Sequence, residues 1–292
     1  MPGPSDGIGV AIATAAGAVV GAAGAAVEVA QQKAKQVVSA GAQVVEKAEK
    51  FVDDRAPAWL GNKKPLPHPL DGYDVLFIRH GNTAPNPVDT ERILTEKGRK
   101  QCESAAKTYM KTLPCMELAS FAVTSPAVRC IETASLVLAG SPTPIEPVHC
   151  PAVYDALLQP GASGIFKKIS YAPMSDYLAE GPEVKEILDS YAESVLSEVE
   201  KIVTARAEAE AEAEAELRKK IVGAVERRTS RKTLCVFGHA VYSASVAHML
   251  AKQRGLAAPS IDAILSYNMQ EACGFWVGAE EAKVLVHDLA GK

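Results

Sequence analysis

Four side chains stand where an anion could be gripped and attacked. Arg79 and His80 close the run "DVLFIRHG", Arg129 lies in "TSPAVRCIETA", and His239 lies in "CVFGHAVY". Each follows a short apolar run rich in β-formers, which reads as a buried strand. Two guanidiniums can hold the oxygens of a phosphoryl group in forks. A neutral imidazole nitrogen is available near pH 7 and is a competent nucleophile toward phosphorus. Backbone N–H groups at a helix start after His239, such as that of Ala240, would add donors and a favourable dipole. The carboxyl edge of the strands is where ligands bind in open α/β sheets. These side chains converge there if their strands are neighbours.

The elements that must position them alternate along the chain. The pattern predicts strands over Val75–Ile78, Phe121–Thr124, Leu234–Phe237 and Gly274–Val277. It predicts helices over Thr95–Thr112, Ala127–Leu138 and Val241–Gln253, with Thr95 suited to cap the first. Such alternation argues for a mainly parallel sheet with helices on both faces. Three parts are expected: a helix over residues 1–53, a Pro-rich linker over 54–72, and the chemistry-bearing domain over 73–292.

The first part carries no charge from Gly7 to Val27, and the first lysine is Lys33. A secretory signal would begin with basic residues, and a transit peptide would be Arg-rich. The Ala/Gly composition makes a membrane span marginal. Val27, Ala30, Ala34, Val37, Gly41, Val44, Ala48 and Phe51 recur at steps of three and four, a helical stripe. It suits docking on a protein partner or a membrane surface, and equally a helix folded back on its own domain. Within the domain, the Glu-Ala run Ala205–Ile221 reads as a solvated extension of a long helix. "RRTS" (Arg227–Ser230) looks like a basophilic kinase target.

Composition excludes some classes. The net charge is −4, from 31 basic and 35 acidic residues, which gives no reason to expect nucleic acid as a partner. The six cysteines are scattered without a C-x-x-C pair, against a zinc site or a disulfide framework. They read as small buried hydrophobes, and an intracellular, reducing compartment is expected, with membrane or assembly association through residues 1–53. His68, His149, His248 and His287 show no setting for chemistry.

Arg79-His80-Gly81 with Thr83 and Asn86, the stretch "LTEKGRKQ" (Leu94–Gln101), "SPAVRCIETA" (Ser125–Ala134) and the late "GHA" (Gly238–Ala240) occur in that order. Together they resemble the histidine phosphatase superfamily, phosphoglycerate mutase-like branch, over residues 73 to about 278. The resemblance implies a three-layer α/β/α sandwich and a metal-independent phosphomonoester hydrolase without a cofactor. His80 would be the nucleophile that becomes phosphorylated. Arg79, Arg129 and His239 would form the phosphate pocket, with Asn86 adding a hydrogen bond and Thr83 close by. A carboxylic acid must protonate the leaving oxygen. Asp155 in "AVYDALLQP" takes that place, with Glu146 and then Asp176 as weaker alternatives. The stretch "LLQPGASGIFKKI" departs from the Gly-x-Trp-Glu-Gly-like segment of the mutases, so a glycolytic mutase is not expected. Lys167 and Lys168 hint at an anionic substrate. A phosphopeptide, a sugar phosphate and a nucleotide-like phosphate remain open. The rival reading is an anchoring subunit of a larger assembly that uses a phosphatase-like fold.

Overall fold

The run Tyr73–Arg79 forms strand β1, buried along its whole length, as four consecutive β-formers between two helical layers require. The computed structural model describes residues 68–113, 119–141, 144–154, 159–220 and 232–290. The expected N-terminal helix, Cys115, Asp155 and the "RRTS" stretch lie outside the described residues.

Helix α1 (Glu96–Thr112) follows β1, capped as expected by the Thr95 hydroxyl, which accepts from Gly98 N at 3.0 Å. Strand β2 (Ala119–Thr124), helix α2 (Val128–Leu138) and the two-residue strand β3 (Val148–His149) come next. Helices α3 (Ala162–Ile169), α4 (Met174–Leu178) and α5 (Pro182–Lys220) precede strand β4 (Lys232–Gly238). Helices α6 (Ala240–Gln253) and α7 (Ala258–Ser266) and strands β5 (Gly274–Val277) and β6 (Ala282–Leu285) complete the domain.

The six strands form one sheet in the order β3-β2-β4-β1-β5-β6. The first four are parallel, and β5 and β6 add an antiparallel edge. Side chains alternate across it. Leu76, Ile78, Ala122, Cys235 and Phe237 pack one face with Ala105 and Tyr109 of α1 and Ala134 and Val137 of α2. Val75, Phe77, Val123, Leu234 and Val236 pack the other with residues of α5 and α6. The result is the expected three-layer sandwich. Burying each large apolar side chain contributes roughly 1.5–3 kcal/mol, so both layers are needed to hold the sheet.

Helix α5 has 39 residues and spans roughly 58 Å at 1.5 Å per residue. Val184, Leu188, Tyr191, Val195, Val199 and Val203 make its buried stripe. Beyond Val203 the Glu-Ala run is mostly exposed as far as Glu212, where side-chain description ends, as a solvated extension should be. Glu210, in that run, accepts from Lys232 at 2.8 Å and ties the helix to the start of β4. Leu70, inside the expected linker, is buried, and its carbonyl accepts from Arg254 Nη2 at 2.7 Å. Packing therefore begins before Tyr73. The five described cysteines are free thiols and all are buried. Among the described residues, no helix is long and apolar enough to cross a membrane.

Candidate active site

Register brings the expected residues to one edge. Arg79 at the end of β1 lies beside Gly238 of β4, and Phe237 lies beside Thr124 of β2. Backbone bonds continue past the strand ends. His80 N donates to Gly238 O at 3.1 Å, and Ser125 N donates to Phe237 O at 2.9 Å. Arg129 then stands in the first turn of α2, and His239 is the residue from which α6 starts. Ala240 opens that helix and is buried.

Glycines allow the loop after β1 to sit tightly on α1. A Cβ at Gly98 would lie 2.1 Å from Asn82 O, and one at Gly81 would lie 2.7 Å from Gly98 O. Gly81 N donates to the Thr133 hydroxyl at 3.1 Å. Asn82, unremarked in the sequence, holds the loop from the other side. Its amide donates to Glu271 at 2.7 Å, its side-chain oxygen accepts from Thr95, and its backbone N–H donates to Gln101.

The two histidines have defined tautomers. His80 Nδ1 lies 2.8 Å from Gly81 O, a group that can only accept. Nδ1 therefore carries the proton, and Nε2 holds the lone pair. His239 Nδ1 lies 3.4 Å from Arg129 Nη2, which can only donate, and its Nε2 lies 3.1 Å from the Ser125 hydroxyl. The rings meet edge to face at 5.4 Å. Burial, first of all, pushes the His80 pKa well below its ordinary value, helped by His239, Arg129 and Arg79 and opposed by Gly81 O. Burial and then Arg129 push His239 down to about 3. Both rings are neutral at pH 7.

The linked stability effect has a definite sign. Above about pH 6.5 neither the folded nor the unfolded chain protonates these rings. Below that pH the unfolded chain takes up protons that the native rings refuse, so stability falls toward pH 3. The urea midpoint should drop as pH is lowered from 7 to 4. Each histidine adds a slope approaching 1.4 kcal/mol per pH unit as an order-of-magnitude figure. His239→Asn should flatten the profile by about one such share; equal slopes in variant and wild type would refute the assignment.

The cations are deeply placed. Arg79 is 7% exposed and Arg129 is 4% exposed. Arg79 Nη1 donates to Met269 O at 2.6 Å, and its guanidinium lies 4.6 Å from the centroid of the Tyr171 ring. No salt bridge to a carboxylate holds it among the described residues, and burial lowers its pKa. The Nε atoms of both arginines are buried without a hydrogen-bond partner. Buried donors of this kind are costly unless something accepts from them. An anion would.

Arg129 has one acidic neighbour that the sequence did not single out. Its Nη1 donates to Asp89 O at 2.5 Å and its Nη2 to Asp89 Oδ2 at 2.7 Å. The Tyr154 hydroxyl donates to the same Oδ2 at 3.1 Å, and the Tyr154 ring lies 5.6 Å from that of His239. Burial alone would raise the Asp89 pKa. The bonds and charge of Arg129, with Tyr154 and Arg92, outweigh that and hold it below the usual carboxylate range.

Other expected site residues have partners of their own. The Thr83 hydroxyl accepts from Arg92 Nη2 at 2.5 Å. Asn86 is exposed, and its side-chain oxygen caps its own turn by accepting from Val88 N at 2.8 Å. Of the acid candidates, Asp155 lies outside the described residues. Glu146 is exposed and precedes β3, which places it toward the amino edge of a parallel strand, opposite the pocket. Asp176 is exposed on α4. Among the described residues, no group of His, Cys, Asp and Glu is arranged to hold a metal ion.

Comparison with family models matches residues 75–150 to the histidine phosphatase superfamily (branch 1). That segment carries Arg79, His80 and Arg129, and the remaining pocket residue, His239, joins it through the β1–β4 pairing. No curated protein sequence matches significantly. Solved structures similar to the chain include a mycobacterial glucosyl-3-phosphoglycerate phosphatase in complex with inorganic phosphate, at 16% identity and a TM-score of 0.40, covering 74% of this chain and 97% of that one. A phosphoglycerate mutase from Bacillus anthracis is 16% identical, with a TM-score of 0.37, covering 74% of this chain and 93% of its own. The protein histidine phosphatase SixA complexed with tungstate is 12% identical, with a TM-score of 0.37, covering 72% and 93%. Similarity at this level assigns no substrate to this chain.

Proposed function

We propose that the domain hydrolyses phosphomonoesters through a phosphohistidine formed on His80. One observation carries this reading: at the sheet edge where His80 keeps its Nε2 lone pair, the two buried arginines Arg79 and Arg129 keep Nε donors without acceptors. A phosphoryl group supplies both the electrophile and the missing acceptors.

In the first step Nε2 attacks phosphorus, the N–P bond forms and the P–O bond to the leaving group breaks. Arg79 and Arg129 neutralise the non-bridging oxygens as charge spreads over them. The leaving oxygen takes a proton from a carboxylic acid, for which Asp155 is our candidate. In the second step water attacks phosphorus, the N–P bond breaks, and the proton from water returns to the same carboxylate. The products are an alcohol and inorganic phosphate, and the chain is restored.

The substrate is a phosphorylated compound, and Lys167 on α3 favours one with further negative charge, whereas Lys168 is paired with Glu180. The test is direct. Turnover of an aryl phosphate in the presence of a chelator, quenched in alkali, should leave an acid-labile, alkali-stable phosphate. Mass spectrometry should place it on His80. Turnover with the label on another residue, or with none, would overturn the proposal.

A further inference from the structure

The loop between β1 and α1 is closed at its base and pinned at one point. The Thr83–Leu94 bridge and the bond from Ala84 N to Ile93 O, 3.0 Å, tie its two ends together. Arg92 reinforces that base through Thr83 and Ala84 O. Beyond the base, Pro85 to Asp89 are exposed, and the 3-10 turn Asp89–Glu91 buries no residue. The hydrogen bonds between residues 85–91 and the rest of the domain, among the described residues, run through Asp89, to Arg129, to Tyr154 and to the neighbouring Arg92.

We propose that Asp89 is an internal occupant of the phosphoryl seat: its carboxylate on Nη2 and its backbone carbonyl on Nη1 hold the fork of Arg129 until a substrate phosphate displaces them and lifts the loop. The proposal rests on the anion-binding reading of the pocket. Arg129 offers one planar fork, and that fork accepts either a carboxylate or a phosphate edge. His80 is 8% exposed. Displacement favours the phosphate dianion. It carries twice the charge of the carboxylate and has oxygens left to meet Arg79 and its unpartnered Nε. The Asp89 side chain is 47% exposed, so little packing is lost when it swings out. A monoanionic competitor would gain much less over Asp89.

Calorimetric titration with inorganic phosphate tests this. Asp89→Asn keeps the shape and removes the charge, and it should bind phosphate about tenfold more tightly than wild type. Equal or weaker binding would overturn the proposal by making Asp89 neutral or part of the seat. A second measurement uses the unaltered protein: amide hydrogen exchange of residues 85–92 should quicken when phosphate saturates the site. Unchanged or slower exchange would also overturn it. The two readings fail differently. If neither wild type nor Asp89→Asn binds phosphate, the anion pocket itself is refuted. If wild type binds phosphate and Asp89→Asn gains nothing, only the internal occupant is lost.

Discussion

Replacing His80 with alanine should lower kcat for an aryl phosphate by at least about a thousandfold, roughly 4 kcal/mol of transition-state stabilisation. The size follows from the geometry. Nδ1 is committed to Gly81 O, so on this ring Nε2 alone can attack. The thiol beside His239, Cys130, is held protonated by burial, with its pKa pushed up to about 12. His239 cannot substitute, because its Nδ1 already accepts from Arg129. Inorganic phosphate should still bind His80→Ala within a few-fold of wild type, since the arginines supply the charge. That comparison separates lost chemistry from a lost fold. Residual turnover within tenfold of wild type would refute a covalent role for His80.

Replacing Arg79 with methionine should move activity and stability in opposite directions. The variant should lose about a thousandfold in kcat/KM, because one of two guanidiniums that meet the developing charge is gone. Its fold should hold or gain. Arg79 is a buried cation whose visible partners are one carbonyl and one tyrosine face. Such a charge is expensive to desolvate, and methionine fills similar volume without that cost. Offsetting losses at Met269 O and Tyr171 leave an expected gain of about 1 kcal/mol, or roughly 2–4 °C in Tm for a domain of this size. Thermal unfolding in phosphate-free buffer is the measurement. A loss of about 3 kcal/mol would instead mark Arg79 as a structural cation, with Glu271 as its counter-charge.

The pocket was legible because its residues follow strands. Arg79, His80 and His239 end apolar runs that the sheet requires, and Arg129 follows one by a few positions, so parallel register assembles them without detailed knowledge of the loops. The partners of the pocket were not legible. Asp89 and Tyr154 reach it by loop paths, and no periodicity records where a loop returns. The bond that Asn86 makes was hidden for the same reason: its side-chain oxygen accepts from Val88 N within the loop. β3 was missed because two exposed residues carry no pattern, and β6 because it is a short edge strand. The body of α5 was missed because only its charged end is compositionally distinct. Residues 1–53, with the stripe that suggested docking, stand outside what the structure describes.

The environment of His80 also bears on how the intermediate ends. In many hydrolases a carboxylate orients the catalytic imidazole and makes it more basic. Here a neutral carbonyl does the orienting, and burial makes the ring less basic still. A weakly basic imidazole is a modest nucleophile and a good leaving group, by the same Brønsted relation that governs both directions of a transfer. What the first step concedes in attack, the second regains when nitrogen must depart from phosphorus. In the mechanism we propose, the phosphoryl group is thus held by an atom suited to letting it go to water.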